Sequence, residues 1–260
     1  MTDDKQNSSN YEIKIPRESS DYKLQSDIVC SSIYSIIEQQ IKTGNNRIFI
    51  RTNLKLGLPL ENINKIAGPF VEAWALEKFQ EISDDIGNKY GLINVEGGKR
   101  LDFYDMVLQF KIKTNNQLIS ANVDSKATAE DIPNSGKSPN ITSYAKVRTE
   151  YLNDPDCIFI VLSLKHKVFT EKSDDLKITN GIMEVVSHNV YDLKYVSSKD
   201  ISYNPALGTG QIQIKDIHYV TRVETTVDHF VKMLDEKFIK SHTFEKWLEM
   251  AKKYKWIKYD

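Results

Sequence analysis

The sequence predicts an α/β fold in which a mixed central β-sheet is flanked by α-helices, and three observations carry that expectation. Two period-2 apolar runs face each other across a turn within residues 101–127, a helix-forming segment follows, and then comes the almost uninterrupted apolar run "CIFIVLSL". Strand, helix and doubly covered strand make a βαβ crossover, so a parallel pair sits in a sheet that also contains an antiparallel hairpin. With 260 residues, 40% of them hydrophobic and 27% charged, the chain has the size and balance of one large globular domain.

Each element has its own local reason. The opening "MTDDKQNSSN" is polar and lacks the apolar stretch of a secretory leader. Residues 1–12 are expected to be a disordered tail before a single domain at 13–260. In "SDIVCSSIYSIIEQQIKTG", Val29, Ile33, Ile37 and Ile41 fall at helical spacing and Gly44 ends the run. "RIFIRTNLKLGLPL" reads as a short strand and a loop. A second helix is expected at "GPFVEAWALEKFQEI", with Pro69 in its first position.

The segment "LDFYDMVLQFKIKTNNQLISANVDSKA" says most. Tyr104, Met106, Leu108, Phe110 and Ile112 form one apolar face, and Ile119, Ala121, Val123, Ser125 and Ala127 form another. A turn on Thr114 and Asn115 pairs Met106 with Val123, Leu108 with Ala121 and Phe110 with Ile119, so the two faces coincide. The same register sets Asp105 opposite Asp124, with Lys126 two residues on and therefore on the same face as Asp124. Beyond the loop "DIPNSGKSPN", a helix is expected through "ITSYAKVRTEYL". Strands are expected at "NGIMEVVSHNVYDLKYV" and "GQIQIKDIHYV", with "DISYNPALGTG" as a loop between them. "TVDHFVKMLDEKFIK" and "FEKWLEMAKKYKWIK" read as amphipathic helices with basic outer faces.

Several function classes drop out. No window approaches the roughly 18 consecutive apolar residues of a membrane span. Cys30 and Cys157 make no disulfide framework and read as reduced thiols of a cytoplasmic protein. His166, His188, His218, His229 and His242 are scattered without metal-ligand spacing, and no Ser/His/Asp constellation stands out. "NSGKSPN" ends like a phosphate-binding loop, but Asp131 stands where that motif needs glycine, and Pro139 where its helix should run. The net charge of −1 is not the basic footprint usual for nucleic-acid binders. Acidic metal ligands, however, would cancel basic residues in that count.

What remains is Asp105, Asp124 and Lys126. Like charges opposite one another on a strand pair are destabilising unless a cation or a proton intervenes. Mg²⁺ takes oxygen ligands and commonly uses one or two carboxylates, and an adjacent lysine can orient water or stabilise charge on a phosphate. A plain Asp/Lys ion pair on an exposed strand is the alternative, and a bare D-x-K match recurs by chance. "YNPALGTGQ" reads either as a glycine turn or as a surface offering Asn204 and Gln211 to base edges, and spacing does not choose. "KKYKWIK" reads as a solvated helix end, with phosphate contact the alternative.

Longer stretches, "TNLKLGLPLENINKIAGPFVEAW", "LINVEG", "DIPNSGKSPNITS" and "DISYNPALGTGQIQIKDIHYV", resemble the HpaI-like type II restriction endonucleases of the PD-(D/E)xK nuclease superfamily. A more distant HincII-like branch shares only the acidic hairpin, the "PN" of "SPN" and an Asn ahead of "QIQ". The resemblance implies a restriction-endonuclease-like core. Asp105 and Asp124 would be the metal-binding aspartates, Lys126 the catalytic lysine, and Glu72 a glutamate on a helix near the site. It implies DNA contacts from Lys137, Ser138 and Asn140 in one loop, and from Tyr203, Asn204, Ala206, Gly208 and Gln211 in another. Lys137 stands where the distant branch has an intercalating glutamine, so intercalation does not carry over. The implied protein is a Mg²⁺-dependent homodimer cutting double-stranded DNA at GTTAAC to blunt ends. A cognate DNA methyltransferase would serve the host without direct contact. A non-catalytic DNA-binding protein on the same fold, or a structure-specific repair or recombination endonuclease, are the rival readings.

Overall fold

The computed structural model describes residues 11–99, 102–112, 115–173, 178–204 and 210–259. In chain order these form β1 (Tyr11–Ile13), α1 (Tyr22–Lys42), β2 (Arg47–Ile50), α2 (Leu60–Asp84), β3 (Leu92–Gly97), β4 (Met106–Lys111), β5 (Leu118–Ala129) and β6 (Asn140–Ser143). Then come α3 (Tyr144–Asn153), β7 (Ile158–Ser173), β8 (Ile178–Asp192), β9 (Ile201–Asn204), β10 (Gln211–Ile214), α4 (Val227–Ser241), α5 (Phe244–Lys253) and β11 (Ile257–Tyr259). The main sheet has the order β2-β8-β7-β5-β4-β3, with β5 and β7 parallel and the other neighbours antiparallel.

The hairpin has the expected register: Met106 opposes Val123, Leu108 opposes Ala121 and Phe110 opposes Ile119. All six side chains are buried, and they pack with Val29, Ile33 and Ile37 of α1 and Val71, Ala75 and Phe79 of α2. A slip of one residue would turn this whole face to the opposite side, which is why the apolar pattern specifies the pairing. Thr114, half of the expected turn, lies outside the described residues. As its composition requires, the first half of β7, Ile158 to Leu164, is covered on both faces. Ile158, Ile160, Leu162 and Leu164 point to the α1/α2 layer, while Phe159 and Val161 point to a second core built from α3, α4, α5, β9 and β10.

Four local expectations are corrected. The second helix begins at Leu60, so Pro69 lies inside it. An interior proline costs about 3 kcal/mol. The added turns bury Ile63 and Ala67 completely, in line with Val71 at i, i+4 and i+8, and burial of Ile63 alone is worth about 1.5–3 kcal/mol. Residues 140–143, expected partly in a helix, form β6, because Asn140 and Ser143 pair with Gln213 and Gln211 of β10. "DISYN", expected as loop, supplies β9, which alternates buried Ile201 and Tyr203 with outward Ser202 and Asn204. The C-terminal "KWIK" is not a solvated helix end: Trp256 is fully buried and β11 pairs with β1, which begins at Tyr11, inside the expected tail.

Candidate active site

Asp105 sits on the bend that enters β4. Its backbone N–H donates to the Val123 carbonyl (2.9 Å), and its carboxylate Oδ2 accepts from the Ser125 N–H (2.7 Å). Gly98, at the end of β3, donates to the Asp105 carbonyl (2.6 Å) from so close that a Cβ there would lie 2.5 Å from the Tyr104 carbonyl oxygen. Only glycine allows that approach. Asp105 is thus held by backbone from β5 and β3 together, just ahead of the Met106–Val123 pair and within electrostatic reach of Asp124.

Asp124 is only 3% exposed, and strand alternation puts Lys126 on its face while Ser125 turns wholly into the α1/α2 core. Lys126 Nζ lies 2.9 Å from both Asp124 oxygens, but only Oδ1 receives a well-directed hydrogen bond, leaving Oδ2 buried without a donor. Burial raises the Asp124 carboxyl to about 8; Lys126 opposes the shift, and the charges of Asp105 and Glu72 reinforce it. Burial pulls the Lys126 ammonium down, but Asp124, Asp105 and Glu72 outweigh it and hold the group above its ordinary value. Glu72, half-buried on α2, is raised by burial and then by Asp105. The four expected groups are therefore within electrostatic reach of one another.

A buried carboxyl oxygen lacking a donor, beside a second carboxylate, fits a hard divalent cation, which would take the place of the proton that burial retains. Among the described residues no cluster of three or more His, Cys, Asp or Glu side chains is arranged to hold a metal. Asp105 and Asp124 would therefore share an ion with water or phosphate oxygens.

The pair opens into a cleft of 390 Å³ that also reaches Thr142, Lys146 and Gln211. This joins the catalytic-type cluster to the small sheet β6-β10-β9. On that sheet, Asn140 Oδ1 accepts from Gln213 Nε2 (3.0 Å) and Asn204 Nδ2 (3.4 Å), so the two expected recognition segments are brought together. Lys137 is ion-paired with Asp216, and Ser138 has a positive φ of 49°. Ala206 and Gly208 lie outside the described residues. Tyr203 is corrected: it is 6% exposed and its hydroxyl donates to the Leu234 carbonyl, because alternation along β9 turns it inward. Gln213 and Lys146 were missed. Period-2 spacing from Gln211 could have flagged Gln213, whereas Lys146 carries no local signal.

A family model described as "Type II restriction endonuclease HpaI" matches residues 9–255. The type II restriction enzyme HpaI of Haemophilus parainfluenzae is 54% identical over 247 residues, covering 94% of this chain and 96% of that protein. The chain belongs to the HpaI family of type II restriction endonucleases. Its activity is accordingly that of a site-specific endonuclease, a hydrolase acting on double-stranded DNA, and enzymes of this type work with a divalent metal ion. Among solved structures, the NlaIV restriction endonuclease overlays with a TM-score of 0.48 at 12% identity, covering 86% of this chain and 87% of that one. Within the described residues of this HpaI-family chain, no helix is long and apolar enough to cross a membrane.

Proposed function

We propose that this restriction endonuclease is a Mg²⁺-dependent homodimer that cuts GTTAAC at its centre, leaving blunt ends. The observation that supports it most is the grouping of Asp105, Asp124 and Lys126 on one strand pair, in a cleft that also holds Gln211. Asp105 and Asp124 would hold the ion, which when bound polarises the phosphate and lowers the pKa of a water. Lys126 stays protonated, so it acts as a cationic donor that orients the attacking water and offsets charge on the phosphate rather than as a base. Glu72 adds negative charge beside the cluster and reinforces its demand for a cation. Asn140, Asn204 and Gln211 read the DNA, with Lys137 and Ser138 on the adjoining loop, and a palindrome calls for a twofold protein that offers each half-site the same groups. Residues from Tyr11 onward act as one endonuclease domain, and a methyltransferase that does not touch it protects the host's own DNA.

Incubation of a long DNA of known sequence with the protein and Mg²⁺, followed by mapping of the ends, is the test. Discrete blunt ends inside GTTAAC are expected. Discrete ends elsewhere would reject the assigned sequence, a smear would favour a structure-specific nuclease, and intact DNA would favour a binding protein.

A further inference from the structure

His218 belongs neither to the acidic cluster nor to the base-facing amides, yet it links the strand that carries Lys126 to the turn that follows β10. Its Nδ1 is hydrogen-bonded to the Ser163 hydroxyl of β7 (2.5 Å), and its Nε2 to the Thr128 hydroxyl of β5. Ser163 is fully buried and is the register partner of Lys126, while Thr128 lies two residues beyond Lys126 on the same face. The ring therefore bridges the two parallel strands beside the lysine.

The backbone behind that ring leads directly to the DNA-facing segments. Residues 215–218 follow β10, and they are stitched to the loop that precedes Asn140. Ser138 donates to the Lys215 carbonyl (3.1 Å), Ile217 donates to the Gly136 carbonyl (3.1 Å), and Lys137 is ion-paired with Asp216. Gly136 packs so tightly that a Cβ there would meet His218 Cδ2 at 3.2 Å and Thr128 Cγ2 at 3.3 Å. Asp216 Oδ1 accepts from the His218 N–H (2.9 Å), and Asn189 Nδ2 donates to the His218 carbonyl (3.0 Å), so the ring is held from behind as well.

We propose that His218 is a positioning residue that fastens the DNA-reading arm to the catalytic strands, so that a correctly seated site sets Lys126 for cleavage. This rests on the roles assigned above to Lys126, Asn140 and Gln211. A neutral imidazole suits the task, having one N–H to donate and one nitrogen to accept between two hydroxyls. Burial first, and the nearby Lys165 next, push the His218 value down to about 4, so the ring is neutral at any pH near 7. Residues that hold a reacting group in place without touching substrate affect the rate more than the affinity.

The test compares wild type, His218→Gln, Thr128→Val and Lys126→Ala on the duplex site that wild type cuts, and on the same duplex with one base pair changed. Binding is measured with Ca²⁺, single-turnover cleavage with Mg²⁺, and folding by thermal melting. His218→Gln and Thr128→Val should each lower the cognate single-turnover rate by about tenfold to hundredfold, leave Ca²⁺-supported Kd little changed, and narrow the gap between cognate and altered sites. Thr128→Val keeps the side chain's shape, so it decides the matter if His218→Gln fails to fold. Wild-type rates and discrimination in a folded variant would overturn the proposal, as would equal losses of binding and rate. Should Lys126→Ala cut normally, the reading of Lys126 fails instead, which separates the two failures.

Discussion

Replacing Asp124 by Asn is expected to stabilise the metal-free protein, and to do so increasingly as the pH rises from about 4 to about 8. Burial raises the Asp124 carboxyl to about 8, against ~3.9 for an aspartate in an unfolded chain. Between those values the folded protein binds a proton that the unfolded chain has released. Stability therefore falls with rising pH across that window and levels off above about 8. At pH 7 the window already crossed spans about three units, worth at most ~4 kcal/mol at ~1.4 kcal/mol per unit. That value already contains the opposing pull of Lys126 at 2.9 Å, so the gain expected at pH 7 is on the order of 1–4 kcal/mol. Urea unfolding of chelator-treated wild type and Asp124→Asn from about pH 5 to about pH 8 measures it. His166, His188 and His218 are all held below the ordinary histidine value, chiefly by burial, and they tilt both curves the opposite way. The difference between the two proteins therefore isolates Asp124. Parallel curves, or a variant less stable than wild type at pH 8, would refute the reasoning. Adding Mg²⁺ should stabilise wild type and do little for the variant.

Three further outcomes follow from the same geometry. Lys126→Ala should reduce cleavage by about a hundredfold or more while Ca²⁺-supported binding persists; joint loss of both would show that the lysine serves binding. Gly98→Ala forces a Cβ to within 2.5 Å of the Tyr104 carbonyl, so it should displace Asp105, slow cleavage by about tenfold to hundredfold and lower the melting temperature. An unchanged rate would mean that the β3 end can give way. Asn140→Ala removes the acceptor shared by Gln213 and Asn204, and should weaken specific binding by about 1–3 kcal/mol with relaxed sequence preference; a uniform loss on all DNA would assign Asn140 to the phosphates.

The acidic hairpin was legible because period-2 faces on two adjacent strands admit one register, and that register brings the bend holding Asp105 beside the part of β5 that carries Asp124. The buried character of β7 was legible for the same kind of reason: a strand covered on both faces has no polar alternation to show. Helix α2 misled because Pro69 is a strong local start signal, and only packing of Ile63 and Ala67 against the β2 edge of the sheet outweighs it. Tyr203 misled because a four-residue strand between loops has too short a period to declare its inward face.

By itself, then, the sequence determined the hairpin register, the crossover and the trio Asp105, Asp124 and Lys126, all of which rest on residues close along the chain or on one alternating pattern. Only the tertiary structure decided that β6, β9 and β10 make a second sheet beside the cleft, and that His218 bridges Thr128 and Ser163. Those pairings join residues 90 and 55 positions apart. No local periodicity encodes such contacts, because they arise when separate elements bury their apolar faces and carry the intervening polar side chains along.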